Sequence, residues 1–369
     1  MEKMNPRDRL LATLRGGASD RVPLDLSGFT YRTLNDVKDE ARRQIAERVI
    51  DQTHFLVSCP SYSNRYLVTP PQRMKEVDRS ESNGEVTITS EIDTPKGKLT
   101  AVTGTNPTTN TLWTIKYPCE SLEDIEKIRS VPWELPPKLS PPDLSDLPPD
   151  FAERGIIATD ISSPFVCAAG AMPYQYFLML CKTELDLLKE LAEQCLERTL
   201  SLLDVVLGER TVEYVWMGGC EWVTPPMASP EVYDALVQAF EQRVIGRIHE
   251  AGALCRVHCH GKVRSTLELV IERGADFFEP VEPPPDGDIT FAEAKRLAAG
   301  RMTLGGNIEA RVIENENADV VEQAVRAAFE GGKKRMVLQT TAGPVGTITP
   351  RIVENYNRMI DVWEELSPM

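Results

Sequence analysis

Short apolar runs alternate with longer segments of helical period along most of the chain, and their order is the first guide to the fold. At the start, Asn5 is a good N-cap and Pro6 suits the first helical position. Leu10, Leu11 and Leu14 then fall on one face before Gly16-Gly17 ends the helix. Val22 to Leu26 reads as a strand, residues 34–50 as a helix, and Phe55 to Cys59 as a second apolar strand. From residue 155 onward the alternation is regular. Strands are expected at 156–160, 212–217, 253–260, 275–278, 302–304 and 336–339. Between them fall a long helix capped by Thr183, one opened by Ser229-Pro230, one over 263–273, one begun by the capping box Thr290 to Glu293, and one over 319–329. A final helix opens at Thr349-Pro350 and carries Ile352, Tyr356, Ile360 and Trp363 in line.

Strand followed by helix, repeated, predicts a parallel sheet with crossover helices. Eight strand candidates, centred near 24, 57, 158, 215, 257, 277, 303 and 338, predict an α/β fold of the TIM (β/α)8 barrel type. No glycine-rich fingerprint follows the first strand, which argues against a dinucleotide-binding sheet. Residues 60–150 differ in character. Glu85 to Thr89 and Lys98 to Val102 alternate as hairpin strands around Thr94-Pro-Lys-Gly97, and proline-rich text follows from Pro132 to Pro149. This segment is expected to be an N-terminal β-hairpin insertion or lid plus a connector. The expected organisation is one domain over 1–369, with regular βα units over 151–369.

Composition narrows the setting. The chain of 369 residues is 41% hydrophobic, enough for a large core. It has no apolar run of the roughly 18 residues that a membrane span requires. The charged opening does not read as a secretion signal. Eight cysteines stand at 59, 119, 167, 181, 195, 220, 255 and 259, with no CxxC pair, which suits free thiols in a reducing cytoplasm. A net charge of −15 disfavours nucleic acid and anionic membrane as partners.

In a barrel, chemistry gathers where strands end. Those ends hold Asp25, Cys59, Asp160, Gly218 to Glu221, His258 to Gly261, Glu279 to Glu282, Gly305 to Glu309 and Thr340 to Gly343. The sharpest is His258-Cys259-His260, because the chain has only four histidines. Strand alternation turns both imidazoles to one face and Cys259 to the other. Such a pair can chelate a zinc ion, with Glu221 reaching it from a neighbouring strand about 4.8 Å away. It can equally bind substrate, or act as acid and base, without metal. Glu279 and Glu282 precede Pro283-Pro284-Pro285, which fixes the backbone behind them. Asn307 and Glu309 are expected to touch substrate. Asp160, Asp25 and Cys220 are weaker candidates, since an aspartate closing a strand often only caps the next helix.

Asn5 to Arg15 followed by Asp20-Arg-Val-Pro23, a His-x-x-Gly strand end leading to Gly274-Ala-Asp276, Gly306-Asn-Ile-Glu309 and Thr349-Pro-x-x-x-Glu-Asn355 together resemble the uroporphyrinogen decarboxylase superfamily over nearly the whole chain. The superfamily's porphyrin decarboxylases carry an early Arg-Gln-Ala-Gly-Arg segment, whereas residues 24–33 here read LDLSGFTYRT. Its corrinoid-dependent methyltransferases use a His-x-Cys-Gly zinc motif with a distant cysteine. Here His258 matches the histidine, His260 stands in the cysteine's place, and the last strand end reads Thr340-Thr-Ala-Gly343. The resemblance implies a zinc-dependent methyltransferase that moves a methyl group from a small O-, S- or N-methylated substrate to a corrinoid (cobalamin-type) partner protein. In that reading His258, His260 and Glu221 are the ligands, Glu282 or Glu309 manages the proton, and a homodimer is common. A metal-free carboxy-lyase using Asp25, Asp160 and His258 is the alternative.

Overall fold

The computed structural model describes residues 2–29, 39–58, 73–107, 112–135, 147, 149–208, 212–344 and 346–369. Its strands are β1 (Leu24–Asp25), β2 (Phe55–Ser58), β3 (Met74–Ser82), β4 (Glu85–Thr94), β5 (Gly97–Thr105) and β6 (Trp113–Lys116) in the first half of the chain. The second half holds β7 (Gly155–Ser162), β8 (Tyr214–Gly218), β9 (Leu254–His258), β10 (Phe277–Glu279), β11 (Thr303–Ile308) and β12 (Met336–Thr340). All eight apolar runs singled out in the sequence form strands. They join one parallel sheet in the order β1-β12-β11-β10-β9-β8-β7-β2. Strands buried on both faces have no polar side to show, so they read as continuous apolar runs.

The sheet is an open, barrel-like α/β sheet with flanking helices, which corrects the expectation of a closed eight-stranded barrel. Among the described residues no ladder joins β1 to β2. The reason is local: β1 is two residues long, Pro23 before it has no N–H to give, and the Leu24 carbonyl accepts instead from the Thr53 hydroxyl at 2.6 Å.

Helix Pro6–Leu14 is capped by Asn5, whose side chain accepts from the Asp8 N–H. Its Leu10, Leu11 and Leu14 are buried against Tyr214, Leu254 and Phe277 at the strand N-terminal end. Each buried leucine contributes about 1.5–3 kcal/mol relative to exposure. The other end of the sheet is left for polar groups. The capping box at Thr290 and Glu293 forms as the sequence predicts. Thr183 does not cap the long helix: it is the last residue of helix Tyr174–Thr183, and Leu185–Gly208 begins after Glu184. Helix Ala310–Asn315, between β11 and β12, was not expected. The expected helix over 34–50 is described only in part, as Glu40–Arg48.

The expected hairpin is β4 and β5, paired in register from Val86↔Thr105 to Thr94↔Gly97. It belongs to a four-stranded antiparallel sheet, β3-β4-β5-β6. Among the described residues no helix is long and apolar enough to cross a membrane. The seven described cysteines are free thiols, and Cys59 lies outside the described residues.

Candidate active site

Register brings the functional side chains together. Gly218 of β8 pairs with His258 of β9, and His258 pairs with Glu279 of β10. Residues that follow β8 and β9 therefore lie side by side. Gly218 has no side chain, and the Trp216 ring fills that space, 4.9 Å between centroids from the His258 ring. Gly219, at φ 113°, turns the chain into the short helical turn Cys220–Trp222, and its N–H donates to Glu221 Oε2 at 3.1 Å.

The two imidazoles lie as alternation requires. Their ring centroids are 4.6 Å apart and their planes nearly perpendicular at 84°. His258 Nδ1 donates to Glu279 Oε1 at 2.7 Å, and His260 Nδ1 donates to Glu282 Oε1 at 2.7 Å. Glu282 Oε2 also accepts from the Gly261 N–H at 2.6 Å. A carboxylate on Nδ1 fixes the tautomer and turns Nε2 outward as the ligating atom.

Glu279 is almost fully buried, at 1% exposure, and is the hub of a polar network inside the sheet. It also accepts from Arg256 Nε at 2.6 Å and from Gln339 Nε2 at 2.8 Å. Arg256 reaches across to Asp25 Oδ2 at 3.2 Å, and His54 Nε2 stands 3.9 Å from the same oxygen. Burial alone would raise the Glu279 carboxyl, but Arg256 and then His258 outweigh it and hold it well below the usual carboxylate range. Burial pushes His54 down. Burial pulls His260 down, but the Glu282 bond together with the negative charges of Glu282, Glu221 and Glu279 raises it on balance. Burial pushes Glu282 up, but the bond and charge of His260, the Gly261 N–H and His258 together lower it.

Asn307 and Glu309 are buried at the end of β11. Glu309 Oε2 accepts weakly from the Thr341 hydroxyl at 3.4 Å, while its buried Oε1 has no partner among the described residues. Burial, then the negative charges of Glu282 and Asp286, push this carboxyl up to about 7. Asp160 lies within β7 opposite Trp216, two places before the strand ends at Ser162.

Glu221 stands close to two thiols. Among the described residues, the three potential metal donors with ligand atoms all within 4.8 Å of one another are Cys220, Glu221 and Cys259. The two imidazoles are not part of that group. The thiols are buried; Cys259 Sγ lies 3.2 Å from the Thr224 hydroxyl and Cys220 Sγ 3.7 Å from the His258 carbonyl. The bond to Cys259, with burial behind it, pushes the Cys220 thiol up. Beside this cluster a cavity of about 240 Å³ opens between the antiparallel sheet and the ends of β7 and β8. Ile92 and Ala101 line one wall, and Val166, Ala171 and Trp222 the other.

Sequence reasoning missed Arg256, Gln339 and His54 as members of the interior network. The signal for Arg256 was a cation within the otherwise apolar run Leu254 to Val257. The Cys220–Cys259 pairing needs the β8–β9 register, which the sequence does not carry.

The fold and its strand-end donors define a barrel-like α/β protein with an enzyme's site and a candidate Cys/Glu metal cluster. Residues 151–366 match the model of the uroporphyrinogen decarboxylase (URO-D) family, and the chain belongs to that family. No curated protein matches the sequence. Among solved structures, the chain is similar to a methyltransferase from Methanosarcina mazei, with 15% identity and a TM-score of 0.62 over 98% of this chain and 99% of that one. A B12-independent methionine synthase from Shewanella sp. W3-18-1, in complex with selenomethionine, aligns at 10% identity and a TM-score of 0.42, over 79% of this chain and 75% of that one. At such identities the likeness to the first is one of fold.

Proposed function

We propose that this chain is a zinc-dependent methyltransferase that takes a methyl group from a small O-, S- or N-methylated donor and passes it to a corrinoid held by a partner protein. The observation that carries this reading is the convergence, at adjacent strand ends, of two thiols and a carboxylate with two imidazoles braced on Nδ1. The donor chemistry fits zinc. Tetrahedral zinc holds its ligand atoms about 3.3–3.8 Å apart, and those of Cys220, Glu221 and Cys259 lie within 4.8 Å without an ion. Cys259 and burial push the Cys220 thiol up, and a divalent cation would reverse this with release of a proton. Cys220, Glu221 and Cys259 would hold the ion. Glu221 also belongs to the His258, His260 and Glu221 set read from the sequence.

When bound, zinc supplies Lewis acidity to the heteroatom of the donor. The residues of the chain supply orientation and the proton. The apolar body of the donor fits the cavity beside Trp222, with the antiparallel sheet as its lid. Asn307 and Asp160 orient the donor's polar end. The carbon–heteroatom bond breaks with its electron pair left on the heteroatom, while the acceptor supplies the pair for its new bond to the methyl carbon. Glu309, protonated below about pH 7, donates its proton to the departing heteroatom, and the His260–Glu282 pair passes it a replacement from solvent.

Cobalt(II) substitution tests the donor set: intense thiolate-to-metal absorption is expected, and is expected to weaken in Cys259→Ser and vanish when Cys220→Ser is added. Bands without thiolate character would move the ion to His258, His260 and Glu221. Transfer of a labelled methyl group to an added corrinoid protein tests the reaction, with loss of transfer on chelation expected. Purified protein without zinc near unit stoichiometry, and inactive on O-, S- and N-methyl donors, would overturn the reading in favour of the metal-free carboxy-lyase.

A further inference from the structure

The strand N-terminal end carries a feature that this chemistry leaves unused. Helix Phe291–Ala298 runs out at Ala299 and Gly300 just before β11, and helix Ala318–Phe329 runs out at Glu330 to Gly332 just before β12. The two loops enclose a half-open cleft of about 380 Å³ whose charged lining is Lys295, Arg296, Lys333, Lys334 and Arg335, with no carboxylate. Among the described residues none of these five cations forms an ion pair. Nearby Arg301, Arg326 and Arg358 are each paired with a glutamate. Five unpaired cations in one cleft stand out in a chain of net charge −15.

A structural role explains part of the cluster. Helix C-termini attract cations, and two of them end here. Each carries only about half a negative charge, so together they offset about one of the five positive charges and leave roughly four. Backbone carbonyls hold three of the side chains in place without neutralising them. Lys295 Nζ donates to the Lys334 carbonyl, Lys333 Nζ to the Pro368 carbonyl at 2.6 Å, and Arg335 to the Leu14 carbonyl at 3.5 Å. Burial alone pushes the Lys295 ammonium down to about 8, as expected for a half-buried cation with no counter-ion. Arg296 and Lys334 are exposed, and their side chains bond no described residue.

We propose that this cleft is a binding site for a small polyanion bearing phosphate. Clustered lysines and arginines suit a compact group with several charges, and one phosphate or a diphosphate fits the volume with room for more of the ligand. Such a ligand would tie together the loops that lead into β11 and β12.

Isothermal titration of the full chain with pyrophosphate, at matched ionic strength, tests this. Saturable one-to-one binding is expected, with a rise in melting temperature on addition of ligand. The double substitution Arg296→Gln with Lys334→Gln breaks no hydrogen bond seen here. It should melt like the parent without ligand and bind at least about tenfold more weakly. The same change at Lys182 and Lys189, on another face, should leave affinity unchanged. No saturable heat up to millimolar ligand, or equal loss of affinity in both double variants, overturns the site. Citrate binding as tightly as pyrophosphate overturns its assignment to phosphate.

Discussion

Replacing Glu279 with glutamine changes no volume but removes the charge on which the interior network depends. The carboxylate accepts from Arg256 at 2.6 Å, His258 at 2.7 Å and Gln339 at 2.8 Å. A glutamine amide would turn an NH2 group toward at least one of these donors. Breaking a buried pair by removing one partner costs about 3–5 kcal/mol. Arg256 keeps Asp25 at 3.2 Å, so the lower end, about 3 kcal/mol, is expected. At about 2.1 cal/mol/K of unfolding entropy per residue, that lowers the melting temperature by about 4 °C in a chain of this length. The pH dependence has a definite sign. The folded-state pKa of Glu279 is depressed below its ordinary 4.5, so its contribution is complete above that value and is lost as pH falls through the folded value. The gap between parent and Glu279→Gln should therefore be full at neutral pH and narrow in acid. Thermal melts of both proteins from neutral pH into acid measure it. A melting temperature unchanged to within about 1 °C at neutral pH, or a gap that widens in acid, would refute the network as the source of this stability.

Two further outcomes follow from the same site. Glu309 has its carboxyl pushed up to about 7, so a step that takes its proton should slow as pH rises through that value. Glu309→Gln should lose this limb together with about 10²–10⁴-fold in rate, and a limb that persists in the variant would remove Glu309 from the role. Gly219 sits at φ 113°, where an added Cβ would come within 2.6 Å of Val166 Cγ2. Gly219→Ala should cost about 1–3 kcal/mol and weaken metal affinity by displacing Cys220 and Glu221, both readable by denaturation and by metal titration.

The strands were legible because burial on both faces makes them apolar runs bounded by glycine and proline, as at Met336 to Thr340 and Leu254 to His258. Helix starts were legible where a side chain announces them, at Asn5, Thr290 and Thr349. Thr183 misled because one non-helical residue, Glu184, separates two helices and leaves no proline or glycine to mark the break. The imidazole pair could be read from alternation alone. The thiol pair could not, since it depends on which residue of β8 lies beside which residue of β9. Barrel closure also escaped the sequence, because it depends on hydrogen bonding at a two-residue strand, and strand count says nothing of that.

The pairing of β1 with β12, Leu24 beside Leu338, sets the order in which this polypeptide can become native. The first strand emerges from the ribosome with no neighbour to receive its backbone groups, and its ladder partner, β12, is made about 300 residues later. The backbone groups of β1 must stay unsatisfied, or shielded by other factors, until β12 has been made. Such long-range pairing slows folding and leaves an unpaired strand open to other chains. A chain lacking β12 and helix Pro350–Leu366 should therefore be an aggregating product rather than a smaller folded one.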